Sequence, residues 1–130
     1  MIHHISQILL VEEDPLLSEI TSFRLELLGY DVVKVQTAEQ AIDWLQHDLP
    51  TLMIVDQTLP KMSGIELLNR LSNDVRTSEI SVILLSTNAE LDEVQRAYNA
   101  GADEYLVIPY DPTVLEAKVE RLVSAAKQTA

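Results

Sequence analysis

The sequence predicts a doubly wound α/β domain: a five-stranded parallel sheet with helices on both faces. Three observations carry that prediction. Apolar runs of strand length recur five times in the 130 residues, and stretches with helical spacing or helix-start signals fill the intervals between them. The runs are also close to continuously apolar instead of alternating, as strands covered on both faces require.

The first run, Gln7 to Val11, leads into Asp14-Pro15, where the acid can cap a helix and proline suits its first position. Leu16, Ile20, Phe23 and Leu27 follow at i, i+4, i+7 and i+11, predicting one apolar helix face, and Gly29 is placed to stop that helix. The second run is Asp31 to Val35. Thr37 with Gln40 then reads as a capping box, Trp44 is expected to pack near Ala41 and Leu45, and His47 fits the helix C-terminus. The third run, Thr51 to Val55, ends at Asp56, and Ser63 with Glu66 marks the next helix start. After the fourth run, Ile80 to Leu85, Thr87 with Glu90 predicts another capping box, and Gly101 the end of that helix. Glu104 to Val107 is the fifth run. Asp111-Pro112 opens a last helix whose apolar face is Leu115, Val119, Leu122 and Ala126.

Strands separated by single helices pair in parallel through right-handed crossovers. Five of them fit the flavodoxin-like order 2-1-3-4-5, in which a site lies outside the carboxyl ends of strands 1 and 3. One domain over residues 1–130 is expected, with frayed ends at 1–6 and 127–130 that would leave His3 and His4 without a fixed role. The apolar runs are too short to span a bilayer, and Met1 to Gln7 lack a secretory pattern, so the expected location is cytoplasmic with no membrane partner. Cysteine is absent, which excludes disulfides and thiolate metal sites. A net charge of -12 with nine Lys and Arg argues against direct contact with nucleic acid, whose phosphates would be repelled.

At the predicted switch point the first strand runs into Glu12, Glu13 and Asp14, and the third into Asp56. Asp14, before proline, reads as a cap, which leaves Glu12, Glu13 and Asp56. Clustered carboxylates raise one another's pKa unless a cation binds, and hard oxygen ligands suit Mg²⁺. The turn after strand 1 contains no glycine, which disfavours direct cradling of a phosphate by backbone. With a metal bridge, Asp56 has the chemistry to attack phosphorus as a carboxylate nucleophile.

Ile8-Leu9-Leu10-Val11-Glu12-Glu13-Asp14-Pro15, Val55 to Gly64, Leu84-Leu85-Ser86-Thr87, and Gly101 to Tyr105 followed by Pro109 together resemble the receiver domains of two-component response regulators across essentially the whole chain. The resemblance implies that Asp56 accepts a phosphoryl group from a histidine kinase or phosphotransfer protein. It further implies that Glu12, Glu13 and Asp56 hold Mg²⁺ with the Thr58 carbonyl, that Ser86 hydrogen-bonds a phosphoryl oxygen, and that Tyr105 is the aromatic switch. By the same resemblance, the output surface, also a candidate homodimer surface, is the fourth helix, fifth strand and fifth helix, about Glu90 to Asn99, Glu104 to Val107 and Pro112 to Lys127. A downstream protein would read it.

Three positions depart from the family pattern. Ile108 stands where the resemblance expects a lysine, Glu13 where it expects aspartate, and Thr87 where a smaller residue is usual. Lys61 in the acceptor loop is expected to point outward and not to substitute. Without the lysine, at least one of Glu12, Glu13 and Asp56 is expected to hold a proton more readily than a free side chain when metal is absent. The departures also suit a phosphorylation-independent docking module. A metal-dependent phosphohydrolase is disfavoured, because Thr58 stands where a general acid would be needed. The chain is expected to be a signalling module and not an enzyme.

Overall fold

The computed structural model describes residues 6–128, with side chains described as far as residue 126. Among these residues strand and helix alternate: β1 Gln7–Val11, α1 Pro15–Leu27, β2 Asp31–Val35, α2 Ala38–Leu45, β3 Leu52–Asp56, α3 Gly64–Ser72, β4 Ser81–Ser86, α4 Leu91–Ala100, β5 Glu104–Val107 and α5 Pro112–Gln128. The sheet is parallel throughout with order β2-β1-β3-β4-β5. That is the doubly wound order expected. No helix among the described residues is long and apolar enough to cross a membrane.

Strand side chains alternate between faces, and the two faces build separate cores. Ile8, Leu10, Ile54, Ile83 and Leu85 pack with Leu25 of α1 and with Leu115, Val119 and Leu122 of α5. Leu9, Val11, Met53, Val55 and Leu84 pack instead with Ala38 and Ala41 of α2, Leu67 and Leu68 of α3, and Ala97 of α4. Trp44 lies partly buried against this second core, beside Ala41 and Leu45 as expected.

Most helix signals act as the sequence implies. Asp14 Oδ1 accepts from the Leu16 N–H at 3.0 Å, and Ser63 and Glu66 form the reciprocal capping box. Thr37 Oγ1 accepts from Gln40, but Gln40 Oε1 reaches one residue further back, to the Gln36 N–H. Gly29 and Gly101 take the positive φ values, 94° and 120°, that their stop positions require.

Two expectations fail. The stripe on α1 faces outward: Leu16 is 68% exposed and Phe23 60%, with Ile20 and Leu27 also exposed, and Ser18, Thr21, Ser22 and Leu25 face the sheet. Small hydroxyl residues can do this because their polar atoms find local partners. Ser22 Oγ donates to the Glu19 carbonyl, and Thr21 Oγ1 lies 2.5 Å from the Tyr110 hydroxyl. The Thr87 capping box also fails, since α4 begins at Leu91 behind Glu90, which makes no side-chain cap. Asn88 takes over locally, its Oδ1 accepting from the Glu90 N–H at 2.7 Å.

The expected frayed ends fall largely outside the described residues, as do His3 and His4. Ser6 is buried and its carbonyl accepts from the Asp31 N–H at 3.0 Å, and α5 continues to Gln128.

Candidate functional site

Val11 and Val55 are register partners on adjacent parallel strands, so the next residues, Glu12 and Asp56, emerge side by side at the carboxyl edge of the sheet. Both are buried, Glu12 at 2% exposure and Asp56 at 6%. The loops that carry them are fixed by backbone bonds, from Glu12 N–H to the Val35 carbonyl and from Gln57 N–H to the Leu85 carbonyl. Asp56 Oδ1 accepts from the Thr58 N–H at 2.8 Å, which folds the following loop back over the carboxylate.

Gly64 makes that loop possible. A Cβ there would lie 2.7 Å from the Asp56 carbonyl oxygen and 2.9 Å from both Gln57 Cα and a Leu84 methyl. The first turn of α3 therefore seats directly on the end of β3, with Gly64 N–H bonded to the Gln57 carbonyl and Ile65 N–H to Gln57 Oε1.

The two carboxyls are electrostatically at odds. Glu12 Oε2 accepts from the Asp14 N–H at 3.1 Å, but Oε1 is buried without a hydrogen-bond partner. Burial, and then the facing Asp56 carboxyl, push Glu12 up to about 8. The expectation of an easily protonated acid thus falls on Glu12. No lysine or arginine among the described residues is paired with Glu12 or Asp56.

Glu13 is exposed, and the described residues contain no group of three acids or histidines close enough together to hold a metal. The structure therefore brings together Glu12 and Asp56 but does not draw Glu13 in with them. Two carboxylates still fit Mg²⁺, which keeps several waters and is ordinarily held by one or two carboxylates together with phosphate oxygens. The orphaned Glu12 oxygen is what such a cation would satisfy.

Ser86 ends β4 one step beyond Leu85, the register partner of Asp56. Its hydroxyl donates to Glu93 Oε2 at 2.6 Å and accepts from the Asn88 N–H at 3.1 Å. The Tyr105 hydroxyl lies 2.5 Å from the same Glu93 oxygen and 2.6 Å from the Asn88 carbonyl. Burial and the Glu93 carboxylate push the half-buried Tyr105 phenol up to about 12. Glu93 and Asn88 are the residues that sequence reasoning missed. Glu93, in the first turn of α4, would ordinarily be assigned to the helix dipole.

Ile108 follows β5, packs partly buried against the α1 and α5 core, and donates its N–H to the Ser86 carbonyl at 2.9 Å. With Asp14, Leu16, Leu17, Ile20, Thr87 and Pro109 it lines an open apolar groove of about 300 Å³. Lys61 is exposed at φ 67°, as the outward expectation requires.

Residues 8–120 match the family model described as "Response regulator receiver domain". The chain belongs to that family. It is 36% identical over 121 residues to the phosphate regulon transcriptional regulatory protein PhoB of Rhizobium meliloti, covering 93% of this chain and 53% of that protein. It is 32% identical to the DNA-binding dual master transcriptional regulator RpaA of Synechocystis sp., covering 90% and 48%. The receiver thus spans about half the length of the curated relatives it matches. Among solved structures, the signal receiver domain of a signal transduction histidine kinase from Syntrophus aciditrophicus superposes with a TM-score of 0.89 at 33% identity, covering 96% of this chain and 95% of that one. This chain is therefore a two-component receiver module, a class that signals and is not a classical enzyme.

Proposed function

We propose that the receiver accepts a phosphoryl group on Asp56 from a phosphohistidine of a histidine kinase or phosphotransfer protein, and passes the change to a downstream protein through its surface. The observation that carries the reading is a buried Asp56 carboxylate at the end of β3, facing a Glu12 whose Oε1 has no partner. In the transfer, an Asp56 oxygen attacks phosphorus, the new P–O bond forms as the P–N bond breaks, and the departing imidazole keeps the electron pair.

Glu12 and Asp56 would hold Mg²⁺ with the Thr58 carbonyl, leaving Glu13 to act through water. Bound there, Mg²⁺ would neutralise the facing carboxylates and the incoming phosphoryl oxygens. The Thr58 N–H positions Asp56, and Ser86 would donate to a phosphoryl oxygen. The acidic surface of the chain fits protein partners, and membership of the receiver family fits a cytoplasmic setting, with α4, β5 and α5 as the output and candidate homodimer surface. An attached output domain in the whole protein, as the relatives' greater length suggests, would be a further step.

Ile108 supports one other reading, a docking module that never takes phosphate, because the alkyl group provides no cation for a phosphoryl oxygen. Incubation with Mg²⁺ and acetyl phosphate, followed by intact mass, distinguishes the two. The proposal expects a phosphoryl adduct on the wild type and none on Asp56→Asn. No adduct on the wild type, under conditions that label another receiver, leaves the docking reading.

A further inference from the structure

We propose that Glu93 is a positioning residue: it holds the Ser86 hydroxyl away from the Asp56 pocket and ties it to Tyr105. The part concerning Ser86 and phosphate rests on the phosphoacceptor reading above. The structural part does not.

Ser86 is buried and its hydroxyl carries one proton, which is committed to Glu93 Oε2 at 2.6 Å. While that bond stands, the proton cannot be given to an oxygen on Asp56. The same Glu93 oxygen lies 2.5 Å from the Tyr105 hydroxyl, and the Asn88 backbone meets both partners, its N–H on Ser86 Oγ and its carbonyl 2.6 Å from Tyr105. One side-chain oxygen from α4 therefore joins the end of β4 to β5, and the backbone of the loop before α4 meets the same two hydroxyls.

A phosphoryl group on Asp56 and the Glu93 carboxylate would compete for the Ser86 proton. If the phosphoryl group wins, Glu93 loses one of its two hydroxyl contacts and Asn88 loses the acceptor it holds in place. The site would then be coupled to Tyr105 through Glu93. A charged acceptor binds a hydroxyl about twice as strongly as a neutral one, so removing the charge should lower the threshold for Ser86 to turn inward.

The test compares wild type, Glu93→Ala, Glu93→Gln, Ser86→Ala and the double variant Ser86→Ala with Glu93→Ala. In the unmodified protein, hydrogen exchange of the Asn88 amide and the NMR signals of Tyr105 report the tie without phosphate. Both should change in Glu93→Ala, and less in Glu93→Gln, which keeps an acceptor of similar size. With Mg²⁺ and acetyl phosphate, Glu93→Ala should be labelled faster by on the order of tenfold. That gain should vanish when Ser86 is alanine, because the effect acts through its hydroxyl.

An unchanged Asn88 exchange rate and unchanged Tyr105 signals in both Glu93 variants would overturn the tie. Equal acceleration in the Ser86→Ala background, or none in either background, would overturn its control of Ser86. If no protein is labelled, wild type included, it is the phosphoacceptor reading that fails, and the exchange measurements alone decide whether Glu93 makes the tie.

Discussion

At Glu12 a buried carboxyl faces Asp56 with one oxygen unpartnered, and its pKa is raised to about 8 from 4.5. Between those values the unfolded chain has released a proton that the folded, metal-free protein retains. Stability from this group is therefore complete below about pH 4.5 and is lost as pH rises through 8, by an amount on the order of a few kcal/mol. Urea unfolding in chelator should show wild type losing stability across that range relative to Glu12→Gln, whose amide does not titrate. Parallel pH curves for the two proteins would contradict the assignment. Ile108→Lys is expected to return an ammonium to this end of the sheet and to speed labelling by acetyl phosphate; an unchanged rate would count against the lost lysine as the handicap. Asp56 and Glu12 were legible in the sequence because an apolar run ending in an acid fixes both strand end and charge. The Ser86 partner was not, since Glu93 meets it only through the side-chain geometry of α4 and the loop before it.

At the scale of elements, α1 is where periodicity misled. Leu16, Ile20, Phe23 and Leu27 have helical spacing, but spacing alone does not say which face meets the sheet, and the inward face is filled by hydroxyl residues and Leu25. Phe23→Ala should then change stability by less than about 0.5 kcal/mol, while Leu25→Ala costs roughly 2–5 kcal/mol. Comparable losses in the two variants, measured by urea unfolding, would place Phe23 in the core after all. The start of α4 was misjudged for a related reason: Thr87 and Glu90 have the right spacing, but Asn88 captures the Glu90 N–H first. At α3 the signal was read correctly, and its consequence lies at the site. Gly64→Ala must displace the Asp56 carbonyl, the Gln57 backbone or Leu84, and is expected to cost about 1–3 kcal/mol and to slow labelling at Asp56. A variant labelled and unfolded like wild type would show that α3 does not set the acceptor loop.

Across the whole molecule the sheet order was readable because the three central strands are buried on both faces and each crossover is a single helix, which leaves little freedom in topology. Charge works at this scale too. The chain has 21 acids against nine lysines and arginines, and its ion pairs, such as Lys34 with Glu19, are mostly partly exposed. Exposed pairs contribute about 0–1 kcal/mol, so relief of net repulsion should outweigh their weakening, and added sodium chloride should raise the urea midpoint. A falling midpoint would mean that the pairs dominate. The departures at Glu13 and Ile108 leave this architecture intact and bear on the chemistry at one edge of it. The most direct test of that chemistry is peptide mapping by tandem mass spectrometry after labelling with acetyl phosphate and Mg²⁺. The account predicts a phosphoryl group confined to the peptide containing Asp56 and released by hydroxylamine, as an acyl phosphate must be. A label resistant to hydroxylamine, or located on any other residue, would contradict it.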